Sequence, residues 1–338
     1  MSRAEKIHEE AIIIDATCPL AVLDQYHDNY RAGGVTVVAA TVGYGVGDIG
    51  NINFTVRNLG NWYKRFRENP DKLHFVKSVN DIFQAKKEGK LGVIFHFQGS
   101  APFEDDINMV EVYHRLGVRM CQLCYNAKDL VGCGCAVEED TGLTEYGAKI
   151  IGEMNRLGIV VDCAHTGYKT TMDAIEASTS PVIISHGNAK AICNNRRNLE
   201  DELIQAIARK GGVVGFNGFP GFVADKPRPT LDDMLDHVDY MAKLVGPENI
   251  SVGIDYYEYQ AGVVDDDTAN LIYNYLLESG SWNTTDYPAP PWYYPEGLEM
   301  PEKLVNLTIG LYKRGYSEDE IKGILGLNII RVFRKIWK

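Results

Sequence analysis

The sequence predicts a (β/α)8 barrel formed by one domain over residues 1–338, and three observations predict it. Eight short apolar segments rich in Val and Ile recur along the chain, as strands buried on both faces do. Helix-like stretches separate them. Polar residues able to do chemistry gather where the segments end, and in a parallel barrel all strand ends share one rim. An open, doubly wound sheet is the alternative that the same alternation leaves.

Taken in order, Ile12–Thr17 is the first strand and Val35–Val42 the second, followed by helix-like Phe54–Arg67 and Val79–Lys87. Leu91–Gln98 is the third strand, Ile107–Leu116 a helix and Val118–Tyr125 the fourth strand. Tyr146–Leu157, Thr170–Ala177, Glu200–Lys210 and Leu231–Leu244 are helices alternating with strands Ile159–His165, Val182–His186, Gly212–Asn217 and Ile250–Tyr256. Arg115-Leu116-Gly117, Arg156-Leu157-Gly158 and Lys210-Gly211-Gly212 carry a glycine just after a basic last turn, which is C-cap chemistry. Residues 257–301 break the rhythm with Asp265-Asp266-Asp267 and the aromatic, Pro-rich run from Tyr287 to Pro295. Following the last strand, this insertion is either a lid over the rim or a surface excursion packed on its own aromatics. Ser317–Trp337 is a terminal helix or helix pair that seals the barrel.

Composition narrows the partners. A net charge of -12 lacks the clustered Lys and Arg that a nucleic acid requires, and suits small-molecule substrates. The charged N-terminal decapeptide has no secretory apolar stretch, and no segment reaches the roughly 18 to 20 apolar residues of a membrane helix. Seven cysteines, an odd number, read as reduced thiols, so a cytoplasmic protein without a membrane partner is expected.

The rim residues are Gln98, Tyr125 with Asn126, His165, His186 and Asp255. A single His closing an apolar strand can be structural; two on consecutive strands, with an Asp on the eighth, form a set that Zn²⁺ accepts. His96 shares a face with Gln98 and is either an acid/base group or filling for the barrel interior. Cys121 and Cys124 are three apart on a strand and face opposite sides. Cys133 and Cys135 lie close enough to bind metal or oxidise, but no second pair accompanies them. Walker, His-Glu-x-x-His and Gly-x-Ser-x-Gly motifs are absent.

At these positions the sequence resembles the membrane (renal) dipeptidase family of zinc-dependent barrels, over most of its length. Gly142–Gly147 and the run Glu153–His165 are similar to the family's approach to its first metal-binding His, and Pro181–His186 to the segment with the second. Asn195–Leu199, Gly211–Asn217, Val252–Tyr256, Pro295–Glu299, Asn306–Thr308 and Asn328–Phe333 follow in family order. The resemblance implies a barrel of the metal-dependent hydrolase type, a carboxylate-holding role for Arg197, and a homodimer.

It also exposes departures, as in a divergent bacterial-type branch. Thr17 and Pro19 stand where the family has its first-strand His-x-Asp, Gln98 where a glutamate bridges two zinc ions, and Tyr125 where a further His is expected. A neutral amide cannot offset two adjacent dications, so one Zn²⁺ on His165, His186 and Gln98 is expected, or none. Asp255 would then be free for acid/base work, with His96 or Tyr125 compensating for the lost ion and Arg197 and Asn126 binding substrate. The expected function is a dipeptidase-like hydrolase of a small peptide or amide bearing a carboxylate, slow on ordinary dipeptides. A non-catalytic small-molecule binder and a metal-independent acid/base enzyme are the alternatives.

Overall fold

Nine parallel strands carry the site in the computed structural model, which describes residues 1–45 and 50–338: β1 (Ile14–Cys18), β2 (Val37–Tyr44), β3 (Leu73–Phe75), β4 (Leu91–Gln98), β5 (Val118–Gln122), β6 (Val160–Asp162), β7 (Val182–Ile183), β8 (Val214–Phe216) and β9 (Ile250–Val252). The ladder runs β1-β2-β4-β5-β6-β7, with β8 and β9 paired separately. A parallel bridge between Ile184 and Val214 joins β7 to β8. Closure comes from Asp255 N donating to Thr17 O at 3.2 Å, and from Ile254 N donating to the Asp15 carboxylate at 2.9 Å. The predicted barrel is therefore formed. The strand absent from the sequence reading, β3, stands outside the ring: it pairs with Leu91–Val93 of β4, while β5 pairs with Phe95–Phe97.

Each expected strand lies on its apolar segment, most of them trimmed at the ends, with β2 displaced two residues onward to Tyr44 and β1 reaching Cys18, and the seven expected helices agree to within two residues. Helix Arg3–Glu10 was hidden by its charge, although Ser2 and Glu5 form a capping box and Ala4, Ile7 and His8 are buried. Within the insertion, Asp266–Glu278 is helical, with the Asp265 side chain accepting from Thr268 N at 2.7 Å.

Inward side chains alternate along each strand. Ile94 of β4 packs with Ile14, Val37, Met120 and Val160 at the barrel base, closed by Ile329, Ile330 and Phe333 of the last helix (Asn328–Ile336). His96 and then Gln98 follow along β4 toward the rim. The base is apolar and the rim polar, which concentrates chemistry at one end. Among the described residues no helix is long and apolar enough to cross a membrane.

Candidate active site

Two neutral imidazoles lie side by side at the rim. His165 follows β6 and His186 follows β7, with ring centroids 4.9 Å apart. Burial first, and the nearby Arg197 charge second, hold both well below the usual histidine range. Gly215 and Gly253 allow this crowding, because a Cβ on either would fall 1.9 Å from the Ser185 carbonyl oxygen. His165 (φ 60°) and Asp255 (φ 61°) adopt left-handed backbone, and Glu104 is the one other non-glycine residue to do so among those described. Such conformations cost about 1–3 kcal/mol and persist where surrounding structure enforces them.

The imidazole nitrogens have defined roles. His165 Nδ1 lies 2.7 Å from Asn126 Oδ1. Asn126 Nδ2 donates to Ser281 O at 2.8 Å and to Tyr287 Oη at 2.7 Å, so the oxygen end of the amide must face the imidazole. Nδ1 therefore bears the proton and Nε2 the lone pair. His186 Nδ1 contacts Ser185 Oγ at 2.8 Å and Thr17 Oγ1 at 3.1 Å. His186 Nε2 is buried without a hydrogen-bond partner, 3.8 Å from Asp255 Oδ2.

Asp255 is loosely held. Gln98 Nε2 and Asn217 Nδ2 reach its two oxygens at 3.5 Å each, and Tyr294 donates its hydroxyl to the Asp255 backbone carbonyl. Burial pushes its carboxyl up to about 8; Arg197 opposes the rise, while Asp15 and Glu258 add to it. Arg197 itself is 2% exposed, and its Nε and Nη2 have no partner. The guanidinium lies over the Phe222 ring, 5.2 Å from its centroid, but burial without a hydrogen-bond acceptor is costly, and Nε and Nη2 form a fork of the kind that can bind a carboxylate. A cavity of about 390 Å³ adjoins it, lined by His165, Arg197, Cys135, Glu138 and Lys190 among others.

The structure brings His165, His186, Gln98, Asp255 and Tyr125 together and gives other expected residues different work. His96 is fully buried, with Nε2 3.1 Å from Asp162 Oδ2, below the rim rather than on it. Asp162 Oδ1 accepts from Ala164 N and Ser185 N at 3.0 and 2.9 Å, so this pair braces both histidine-bearing loops from inside. Burial would raise Asp162, but the His96 hydrogen bond and charge outweigh it and the carboxyl is lowered. Asn126, expected to touch substrate, has both ends of its amide engaged and acts by orienting His165. Tyr125 stacks on His165 with centroids 4.2 Å apart, and its hydroxyl accepts from Trp282 Nε1 at 3.2 Å. Cys133 and Cys135 are both free, one near Thr141 and the other near Asn126.

Sequence reading missed Thr17 as an orienting group, Ser185, Asn217, Asp162 and Glu258, and it missed which residues of 257–301 close the site. Ser281, Trp282, Tyr287 and Tyr294 all reach rim residues, so the insertion covers the rim. Asp162 could not be singled out without the register, because its partner His96 lies on another strand.

These residues do not fit a two-ion centre. Thr17 is spent on Ala16 O, Ser185 and His186; Pro19 begins a turn; Gln98 directs its amide donor at Asp255; Tyr125 offers His165 a ring face. Among the described residues, no three His, Cys, Asp or Glu side chains cluster as a ligand cage. One ion does fit the chemistry of the remainder, because His165 and His186 present unprotonated or unpartnered Nε2 atoms beside an amide and a carboxylate.

A family model for the membrane dipeptidases (peptidase family M19) matches residues 1–288 and 284–338. An amidohydrolase of known structure from Pseudomonas aeruginosa is 33% identical, with a TM-score of 0.89 and 99% of each chain covered. A metallo peptidase from Rhodobacter sphaeroides, solved with a phosphinate mimic of the dipeptide L-Ala-D-Ala, shares the fold at 17% identity, with a TM-score of 0.80 over 97% of this chain and 100% of that one. An uncharacterized dipeptidase of Schizosaccharomyces pombe is 28% identical over 272 residues, which cover 78% of this chain and 58% of the other. The dipeptidase aclJ of Aspergillus oryzae is also 28% identical, over 78% of this chain and 56% of its own. The match thus spans little more than half the length of these curated relatives.

Proposed function

The chain belongs to the membrane dipeptidase family, and from that premise we propose a hydrolase of small peptide or amide substrates bearing a carboxylate, working with a single zinc ion. One observation carries the reading: the buried, unpartnered guanidinium of Arg197 beside two imidazoles whose Nε2 atoms are available. Arg197 binds the substrate carboxylate through Nε and Nη2 and fixes the distance to the scissile bond. His165 and His186 would hold the ion, with Gln98 as a weak neighbour. Bound there, zinc would supply Lewis acidity to the scissile carbonyl.

The chain's own groups do the rest. Asn126 and the Thr17–Ser185 pair orient the imidazoles, as partners of metal-binding histidines do elsewhere. Asp255 is placed to move a proton, its Oδ2 being 3.8 Å from His186 Nε2 and its oxygens only weakly restrained. The aromatic insertion excludes water above them. With one ion in place of two, one clamp on a developing oxyanion would be missing, so slow turnover of ordinary dipeptides is expected.

A second reading, binding without turnover, draws on the lack of a three-residue ligand cage among the described residues. A panel of dipeptides and N-acyl amino acids, assayed with and without chelator, separates the two. Chelator-sensitive release of an amine supports the hydrolase; binding with no product supports the second reading; chelator-insensitive product would point to metal-free acid/base chemistry. Seven free cysteines support a cytoplasmic setting, and family resemblance supports a homodimer. Sedimentation of the purified chain tests the latter.

A further inference from the structure

Cys135 is the one cysteine of the seven that is not buried. It ends the Gly132-Cys133-Gly134-Cys135 turn, which is pressed against the site. A Cβ on Gly134 would fall 1.9 Å from the Tyr125 carbonyl oxygen, and Cys135 N donates to His165 O at 2.7 Å. Cys135 Sγ donates to Asn126 Oδ1 at 3.4 Å, the same oxygen that accepts the His165 Nδ1 proton. Cys133 is buried and turned toward Thr141, its Sγ 3.5 Å from that hydroxyl, so the neighbouring thiol does not share this position.

Cys135 and Arg197 line one cavity, the space of about 390 Å³ that also meets His165. Arg197 is 2% exposed, and its Nε and Nη2 have no partner. A carboxylate entering this space therefore has a fork to bind, and the rest of its molecule lies between walls that include the thiol. Burial pushes that thiol up to about 11, with the Arg197 charge opposing the rise, so reagents that nothing holds react with it slowly. Holding a reagent by its carboxylate raises its concentration beside Cys135 alone.

We propose that Cys135 is a thiolation site for small disulfides bearing a carboxylate, and that the mixed disulfide formed there shuts the substrate cavity. This rests on the carboxylate-binding role assigned to Arg197. The Cys135 thiolate attacks one sulfur of the bound disulfide, whose S–S bond breaks as the new Sγ–S bond forms. The other half leaves as a thiolate and takes up the proton that Cys135 released. The incoming disulfide is the oxidant, so no further electron acceptor is needed. The tethered carboxylate then fills the Arg197 fork, and Sγ no longer donates to Asn126 Oδ1. Excess free thiol reverses the exchange.

Peptide mapping by mass spectrometry tests this on the zinc-loaded chain at mildly alkaline pH, treated with dithiodiglycolate or with the uncharged disulfide of mercaptoethanol. Wild-type protein is expected to take the anionic reagent on Cys135 faster than the neutral one by roughly tenfold or more. That advantage should vanish in Arg197→Met and in wild-type protein saturated with hexanoate, and the hexanoate arm stands even if the variant does not fold. Equal rates, faster labelling by the neutral reagent, adducts on another cysteine, or an advantage that survives hexanoate overturn the thiolation site. Calorimetric titration of hexanoate into the same protein separates the causes. Where hexanoate binds, the thiolation site alone falls; where it does not, the Arg197 reading falls with it.

Discussion

Asn126 decides which nitrogen of His165 is available. Its Oδ1 accepts the Nδ1 proton at 2.7 Å because its Nδ2 is committed to Ser281 O and the Tyr287 hydroxyl. The insertion thus reaches through one amide to the electronic state of a rim imidazole.

Replacing that amide should loosen the tautomer without touching the ion. Asn126→Ala is expected to lower zinc affinity by about 10- to 100-fold, the usual cost of losing a group behind a metal-binding histidine. Competition against a chromophoric chelator measures it. Unchanged affinity would mean that Asn126 does not set the state of His165.

Arg197 carries the carboxylate. Arg197→Met should weaken N-acetyl-L-alanine binding by about 2 kcal/mol or more, and Arg197→Lys should recover only part because a point charge lacks the fork. Calorimetry reads both. Full recovery by lysine would argue for simple charge attraction in place of two-point contact.

His96 and Asp162 form a buried pair with a bracing role. His96→Leu leaves Asp162 as an uncompensated buried charge and should cost about 3–5 kcal/mol in urea unfolding. The His96→Leu/Asp162→Asn double variant should regain much of that, since the Asn oxygen still accepts from Ala164 N and Ser185 N. A stable His96→Leu protein that had lost only turnover would restore His96 to the acid/base role.

Stability should depend on the Asp15 carboxyl, which burial pushes up to about 7 in the fold. Its Oδ1 accepts from Ile254 N, and its Oδ2 has no partner. Because the folded value is raised, the native state binds the proton more tightly than the unfolded chain does. This contribution is present in full below the ordinary Asp value and is lost as pH rises toward 7, by as much as about 4 kcal/mol. Urea midpoints compared between acidic and neutral buffer should show the decline, and Asp15→Asn should flatten it. An equal decline in Asp15→Asn would assign the effect to other groups.

Much of this molecule is legible in its sequence, for physical reasons. Strands buried on both faces announce themselves as β-branched runs, which is why Leu91–Gln98 and Val118–Gln122 are recovered. One rim for all strand ends follows from parallel closure, so His165, His186 and Asp255 meet as expected. What periodicity cannot supply is pairing across elements. The His96–Asp162 contact spans 66 residues and depends on barrel register. The use of Tyr287 and Trp282 at the rim depends on how an irregular segment folds back, and no local pattern encodes that. The strand Leu73–Phe75 has no β-branched residue and a His at its centre, so no apolar run marks it.

The central claim is a single-ion site on His165 and His186. Elemental analysis of the purified, zinc-saturated chain after removal of loosely bound metal tests it most directly. About one zinc per chain is expected, falling to none in the His165→Ala/His186→Ala variant. Two tightly held ions per chain, or one that survives loss of both histidines, would contradict the account.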